Sequence, residues 1–128
     1  MNVAVLDSFA LLAYLRREPG YATICEALCK AAESRLELAM TEISYAEVKY
    51  IVLRKDGPSD WHAVENLLAV LPITFHPVDR KLANLAADFK ARHKLSLADA
   101  CAAALAKRLK AVGYTGDAEF DALVSEIR

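Results

Sequence analysis

The sequence predicts an α/β domain: a central parallel sheet of four or five strands with helices on both faces. Three observations carry that reading. Short apolar runs of strand length alternate with helix-length amphipathic stretches from end to end, the pattern of successive βαβ units. The segment 100–106 is apolar on every side, so one helix lies buried between layers. No linker, repeat or low-complexity stretch divides the 128 residues, so a single domain covers 1–128.

The elements follow in order. Residues 2–6 read as a first strand, and Asp7 caps a helix that runs to about residue 17. Pro19 and Gly20 break the chain before a second helix over 21–33. A second strand spans 36–40. Thr41 then begins a helix with an expected apolar stripe of Ile43, Ala46, Tyr50 and Ile51, stopped at Asp56, Gly57 and Pro58. Ser59 or Asp60 caps a shorter helix to about residue 70. A third strand covers 72–75, and Asp79 caps the next helix, to about residue 93. Ser96 opens the buried helix, which runs through 109. A fourth strand at 111–114 leads into the turn Thr115-Gly116-Asp117, and the tail has room for half a helix and a strand stub at 124–127.

Composition excludes several classes. Hydrophobic residues make up 55% and charged residues 26%, a globular balance rather than a disordered one. The first six residues turn polar at Asp7 and Ser8, so no signal peptide is expected, and no apolar stretch approaches the length of a membrane span. Three cysteines lack the partners of a zinc site or disulfide framework, so free thiols in a reducing cytoplasm are expected.

Four carboxylates carry the chemistry: Asp7, Glu47, Asp99 and Asp117. Asp7 follows the first strand, Glu47 stands in the helix after the second, Asp99 in the first turn of the buried helix, and Asp117 after the fourth strand. Each position taken alone suits a helix cap, a capping box or an Asx turn. Together they crowd the strand C-termini, where open α/β sheets bind ligands. At ~5 Å and an effective dielectric of ~20, each pair of like charges costs about 3 kcal/mol. Such a cluster stays ionised around a hard divalent cation, Mg²⁺ or Mn²⁺, that takes oxygen ligands. The formal net charge is −1, but setting those four acids aside leaves 16 basic residues against 13 acidic ones. A mildly basic surface around an acidic pit suits a polyanionic substrate.

At this point a family pattern is visible. Val5-Leu6-Asp7-Ser8 runs into Leu11-Leu12-Ala13-Tyr14-Leu15; later come Thr41-Glu42-Ile43-Ser44-Tyr45-Ala46-Glu47-Val48, then Leu95-Ser96-Leu97-Ala98-Asp99-Ala100, then Thr115-Gly116-Asp117-Ala118-Glu119-Phe120. In this order, over nearly the whole chain, they resemble the PIN-domain nucleases, and closely the VapC-type toxins of type II toxin–antitoxin pairs.

The resemblance implies a PIN-like three-layer α/β/α fold and an endoribonuclease dependent on Mg²⁺ or Mn²⁺. It assigns metal ligation and water activation to Asp7, Glu47, Asp99 and Asp117, with Ser8 and Thr115 as hydroxyls lining the pocket. It implies an RNA substrate, a cognate VapB-like antitoxin, a homodimer and no membrane. Such chains usually continue into a clear fifth strand, and this one stops at Arg128. Arg16, Lys49 and Arg54 are the basic residues guessed to lie near the crevice, and His62, His76 and His93 read as surface residues.

The alternative from another class is a catalytically silent PIN-fold domain that only binds a partner. A phosphoacceptor receiver would need an acidic pair after the first strand and a Lys after the last. A haloacid-dehalogenase-type phosphatase would need a second Asp at position 9, where this chain has Phe9.

Overall fold

A computed structural model describes residues 1–116 and 120–126. Four strands, β1 (Val3–Val5), β2 (Glu37–Thr41), β3 (Ile73–His76) and β4 (Gly113–Tyr114), form one parallel sheet in the order β3-β2-β1-β4. Seven helices are described: α1 (Ser8–Arg16), α2 (Tyr21–Ala32), α3 (Glu42–Asp56), α4 (Pro58–Leu68), α5 (Arg80–Arg92), α6 (Leu97–Arg108) and α7 (Phe120–Glu126). Among the described residues, no helix is long and apolar enough to cross a membrane.

Alternating side chains of the short strands feed two cores. On one face Ala4, Leu38 and Met40 pack with α1, α2, α3 and α7. On the other, Val5 and Ala39 pack against α5 and α6. Six of the twelve residues of α6 are buried, among them Ala100, Ala102 and Ala104, whose small side chains let the helix lie close to the sheet. Leu6 and Leu105 are fully buried, and each such side chain contributes about 1.5–3 kcal/mol.

Side-chain caps start four of the helices. Asp7 Oδ1 accepts from the Ala10 N–H (2.8 Å), Thr41 Oγ1 from Ser44 (3.0 Å), Asp79 Oδ1 from Leu82 (2.8 Å) and Ser96 Oγ from Asp99 (3.0 Å). Each satisfies an orphan donor of the first turn.

Several expectations need correction. Helix α4 is capped by Gly57 (φ 93°) with Pro58 in its first turn, not by Ser59 or Asp60. Proline's fixed φ suits that position and needs no N–H donor there. The apolar stripe of α3 runs through Val48 and Val52 with buried Ser44, whereas Ala46 and Tyr50 are exposed. Apolar residues surround this helix, so spacing alone could not select the buried face. Tyr45 wedges edge-on against both Trp61 and Phe75, which sets the rotation. In the tail, 124–126 is helical rather than a strand stub, because Phe120 and Val124 lie one turn apart and both enter the core. Ile127 lies outside the described residues.

Candidate active site

The sheet order reverses at β1, whose neighbours are β2 and β4, and the crevice of an α/β sheet opens at such a point beyond the strand C-termini. The Asp7 N–H donates to Thr115 Oγ1 (3.2 Å) there, joining the exits of β1 and β4. This fixes Asp7 and Thr115 at one place although 108 positions separate them.

Glu47 reaches the same neighbourhood from α3. It does not complete a capping box with Ser44, because Thr41 already caps the helix. Its Oε1 accepts instead from the hydroxyl of Ser8, which is buried at the start of α1. Ser8 therefore holds Glu47 on the side of Asp7. A carboxylate facing a packed layer needs such a partner.

Asp99 arrives by topology. Helix α6 ends at Arg108 and feeds β4, parallel to β1, so its N-terminal turn lies at the strand C-terminal edge. The Asp99 N–H is taken by Ser96, while its half-buried carboxylate has no hydrogen-bond partner among the described residues. Asp117, the fourth predicted ligand, lies outside the described residues.

Electrostatics set this edge apart. Among the described residues, no ion pair reaches Asp7, Glu47 or Asp99. The N-termini of α1, α3 and α6 gather here and supply the compensating positive partial charge. Among the described residues, no group of three or more His, Cys, Asp or Glu side chains stands close enough to hold a metal ion. The donor chemistry still fits a hard cation: three carboxylates and the hydroxyls of Ser8 and Thr115, with neither thiol nor imidazole in the set.

The guessed basic residues lie elsewhere. Arg16 forms an ion pair with Asp56 (2.6 Å) at the far ends of α1 and α3. Lys49 stacks over Trp61, and Arg54 sits in the last turn of α3. Lys90, Arg92 and Lys94 lie at the connection from α5 to α6, the helix that carries Asp99. Lys90 Nζ donates to the Leu95 carbonyl (2.8 Å), which closes that connection. Of the histidines, His62 and His93 are exposed, but His76 is half-buried at the end of β3, with a buried Nε2 that lacks a partner.

A cleft of ≈ 420 Å³ opens beside Asp7 and Thr115, between α1, the start of α2 and the start of α7. Phe9 and Asp121 line it, and sequence reasoning passed over both. The signal for Phe9 was its place two residues after Asp7 and off the buried side of α1; it is 69% exposed. For Asp121 there was none, since a tail acid resembles any solvated charge.

With this geometry in view, the comparison with known proteins is decisive. The family model described as PIN domain matches residues 4–125. The chain belongs to the PIN domain family.

Solved structures share this PIN fold at low identity. One from Mycobacterium tuberculosis, VapC20, described as a Sarcin-Ricin loop cleaving toxin, superimposes with a TM-score of 0.70 at 15% identity, covering 94% of each chain. A toxin-antitoxin complex from Klebsiella pneumoniae gives 0.61 at 17% identity, covering 86% of this chain and 82% of the other. No curated protein is a significant sequence match. The α/β/α layering expected from sequence is the layering of this PIN domain, and its sheet has four strands among the described residues.

Proposed function

We propose that this PIN domain is an endoribonuclease dependent on Mg²⁺ or Mn²⁺, acting as the toxin of a toxin–antitoxin pair. One observation carries the reading: Asp7 bonds to Thr115 where β1 and β4 end, and the adjoining Ser8 holds Glu47, with no ion pair to either carboxylate among the described residues. The likeness to VapC20 and to the Klebsiella complex supports an RNA substrate and an antitoxin partner. In this reading Asp7, Glu47, Asp99 and Asp117 hold the metal, a homodimer forms, and the protein works in the cytoplasm.

A bound divalent cation supplies Lewis acidity at the phosphoryl oxygen and makes a water nucleophilic near neutral pH. The chain's own groups do the rest. The Ser8 hydroxyl donates to Glu47, and the Ala10 N–H donates to Asp7. The start of α1 directs backbone N–H groups toward a phosphate at the edge, as helix N-termini do for anions. Lys90, Arg92 and Lys94 give the flanking backbone a cationic path.

The test is cleavage of a structured RNA by chelated protein, before and after repletion with Mg²⁺ or Mn²⁺. Cleavage only after repletion, lost in Asp99→Asn, is expected. Undiminished cleavage in chelator, or by Asp99→Asn, overturns the reading. Co-purification from the native host should recover an antitoxin.

A further inference from the structure

Phe9 is a large aromatic side chain, 69% exposed, on the residue two places after Asp7. An exposed ring is unremarkable singly, but this one lines the ≈ 420 Å³ cleft together with Asp7 and Thr115. Ala10 and Ala13 give the α1 side of that cleft small side chains, and the space beside Gly20 is open: a Cβ there would meet nothing within 4 Å. Asp121, exposed, also lines the cleft. The cleft thus offers one exposed aromatic ring, Phe9, beside the buried Phe120, apolar walls and carboxylates, with no Lys or Arg among the described residues that line it.

That combination repels phosphate and suits a nucleobase. Every base has a π-face that stacks on an aromatic ring. A carboxylate only accepts hydrogen bonds, so Asp121 matches bases that carry an exocyclic amine and opposes the carbonyl that uracil presents instead. Stacking needs an unpaired base, as in loops and single strands.

We propose that this cleft is a base-binding pocket: Phe9 stacks on an unpaired base adjoining the phosphate at Asp7, and Asp121 favours a base with an exocyclic amine. The proposal rests on the nuclease reading for the position of that phosphate, and it names a specificity determinant for the same site.

The test uses the full-length protein and short single-stranded RNAs carrying 2-aminopurine, which has an exocyclic amine and loses fluorescence when stacked. Wild type should quench the probe. Phe9→Ala should bind it about tenfold more weakly, with little quenching, while Phe9→Tyr keeps both. Phe9 is exposed, so these variants should fold, and circular dichroism checks that they do. Asp121→Asn, whose amide both donates and accepts, should narrow the preference for cytosine over uracil in otherwise identical RNAs. If wild type cleaves RNA and Phe9→Ala matches it in affinity, quenching and cut sites, the pocket is refuted while the nuclease stands. If wild type neither binds nor cleaves any RNA, both fall.

Discussion

The Ser8 hydroxyl donates to Glu47 Oε1 across 39 positions, tying the first turn of α1 to the second turn of α3. Ser8 is 2% exposed, so this is an interior bond, not a surface contact. It makes the residue after Asp7 responsible for where Glu47 stands.

Ser8→Ala therefore separates positioning from folding. Removing the hydroxyl should cost ~1 kcal/mol of stability, a typical loss for one hydrogen bond. Cleavage should fall ~10-fold, the lower range for partners that orient metal ligands. Thermal melts and single-turnover rates measure the two. Activity equal to wild type in a folded Ser8→Ala would remove Ser8 from the site.

Asp7→Asn and Asp99→Asn should abolish Mg²⁺-dependent cleavage, by on the order of 100-fold or more. The fold should survive, because Asn caps a helix about as well as Asp and changes little volume. In chelator the melting temperature should be unchanged or higher, since repulsion at the edge is relieved. A folded variant that retains full activity after repletion would remove that residue from the metal site.

Far from the site, Asp79 caps α5 and also accepts from Arg108 in the last turn of α6 (2.6 Å). The Arg108 hydrogen bond, followed by that of the Leu82 N–H, holds the Asp79 carboxyl below its ordinary value of 3.8. Its folded pKa is thus depressed, so the contribution is complete above the unfolded pKa and fades as pH falls through the folded one. Arg108→Ala should lower the melting temperature slightly at pH 6, the effect being small because both side chains are partly exposed. The difference should close as pH falls below the depressed folded pKa, because protonation removes the carboxylate in both proteins.

Inhibition should respond to Mg²⁺. Carboxylates without cation partners form a trap for a guanidinium, whose planar fork engages two oxygens at once. An antitoxin segment that inserts Arg or Lys among Asp7, Glu47 and Asp99 would compete with metal, so inhibition should weaken as Mg²⁺ rises. Replacing the inserted base by Ala should cost several-fold in inhibition and less in total affinity. Inhibition independent of Mg²⁺, with the carboxylates untouched in the complex, would refute this.

The layered fold was legible because its determinants are local. The β-branched run before Asp7, the caps at Thr41, Asp79 and Ser96, and the apolar girth of α6 each act within a few residues. Of the expected acidic edge, the meeting of the β1 and β4 exits at Asp7 and Thr115 was legible, because strand ends converge by topology. What stayed hidden depends on rotation and on distant partners. The turn of α3 that buries Val48 and exposes Tyr50 is set by Trp61 and Phe75, and the hold on Glu47 comes from Ser8. Arg16 was guessed to lie near the crevice, but α3 delivers Asp56 to it. Phe9 read as one more apolar residue of a helix, since exposure is a property of neighbours and not of sequence.

The strand order has a consequence in time. Strand β1 is made almost first, yet one of its two partners is β4, made more than a hundred residues later. At a synthesis rate of ~5–20 residues per second, that leaves roughly 5–20 s in which β1 has at most β2 beside it. Its other edge is open to a wrong strand throughout that interval. Closure of so long a loop must also precede the contact that rewards it, which makes this pairing a late event in folding. The bond from Asp7 to Thr115 forms only after that closure. A nascent chain therefore carries its acids for several seconds before it has the crevice that gathers them.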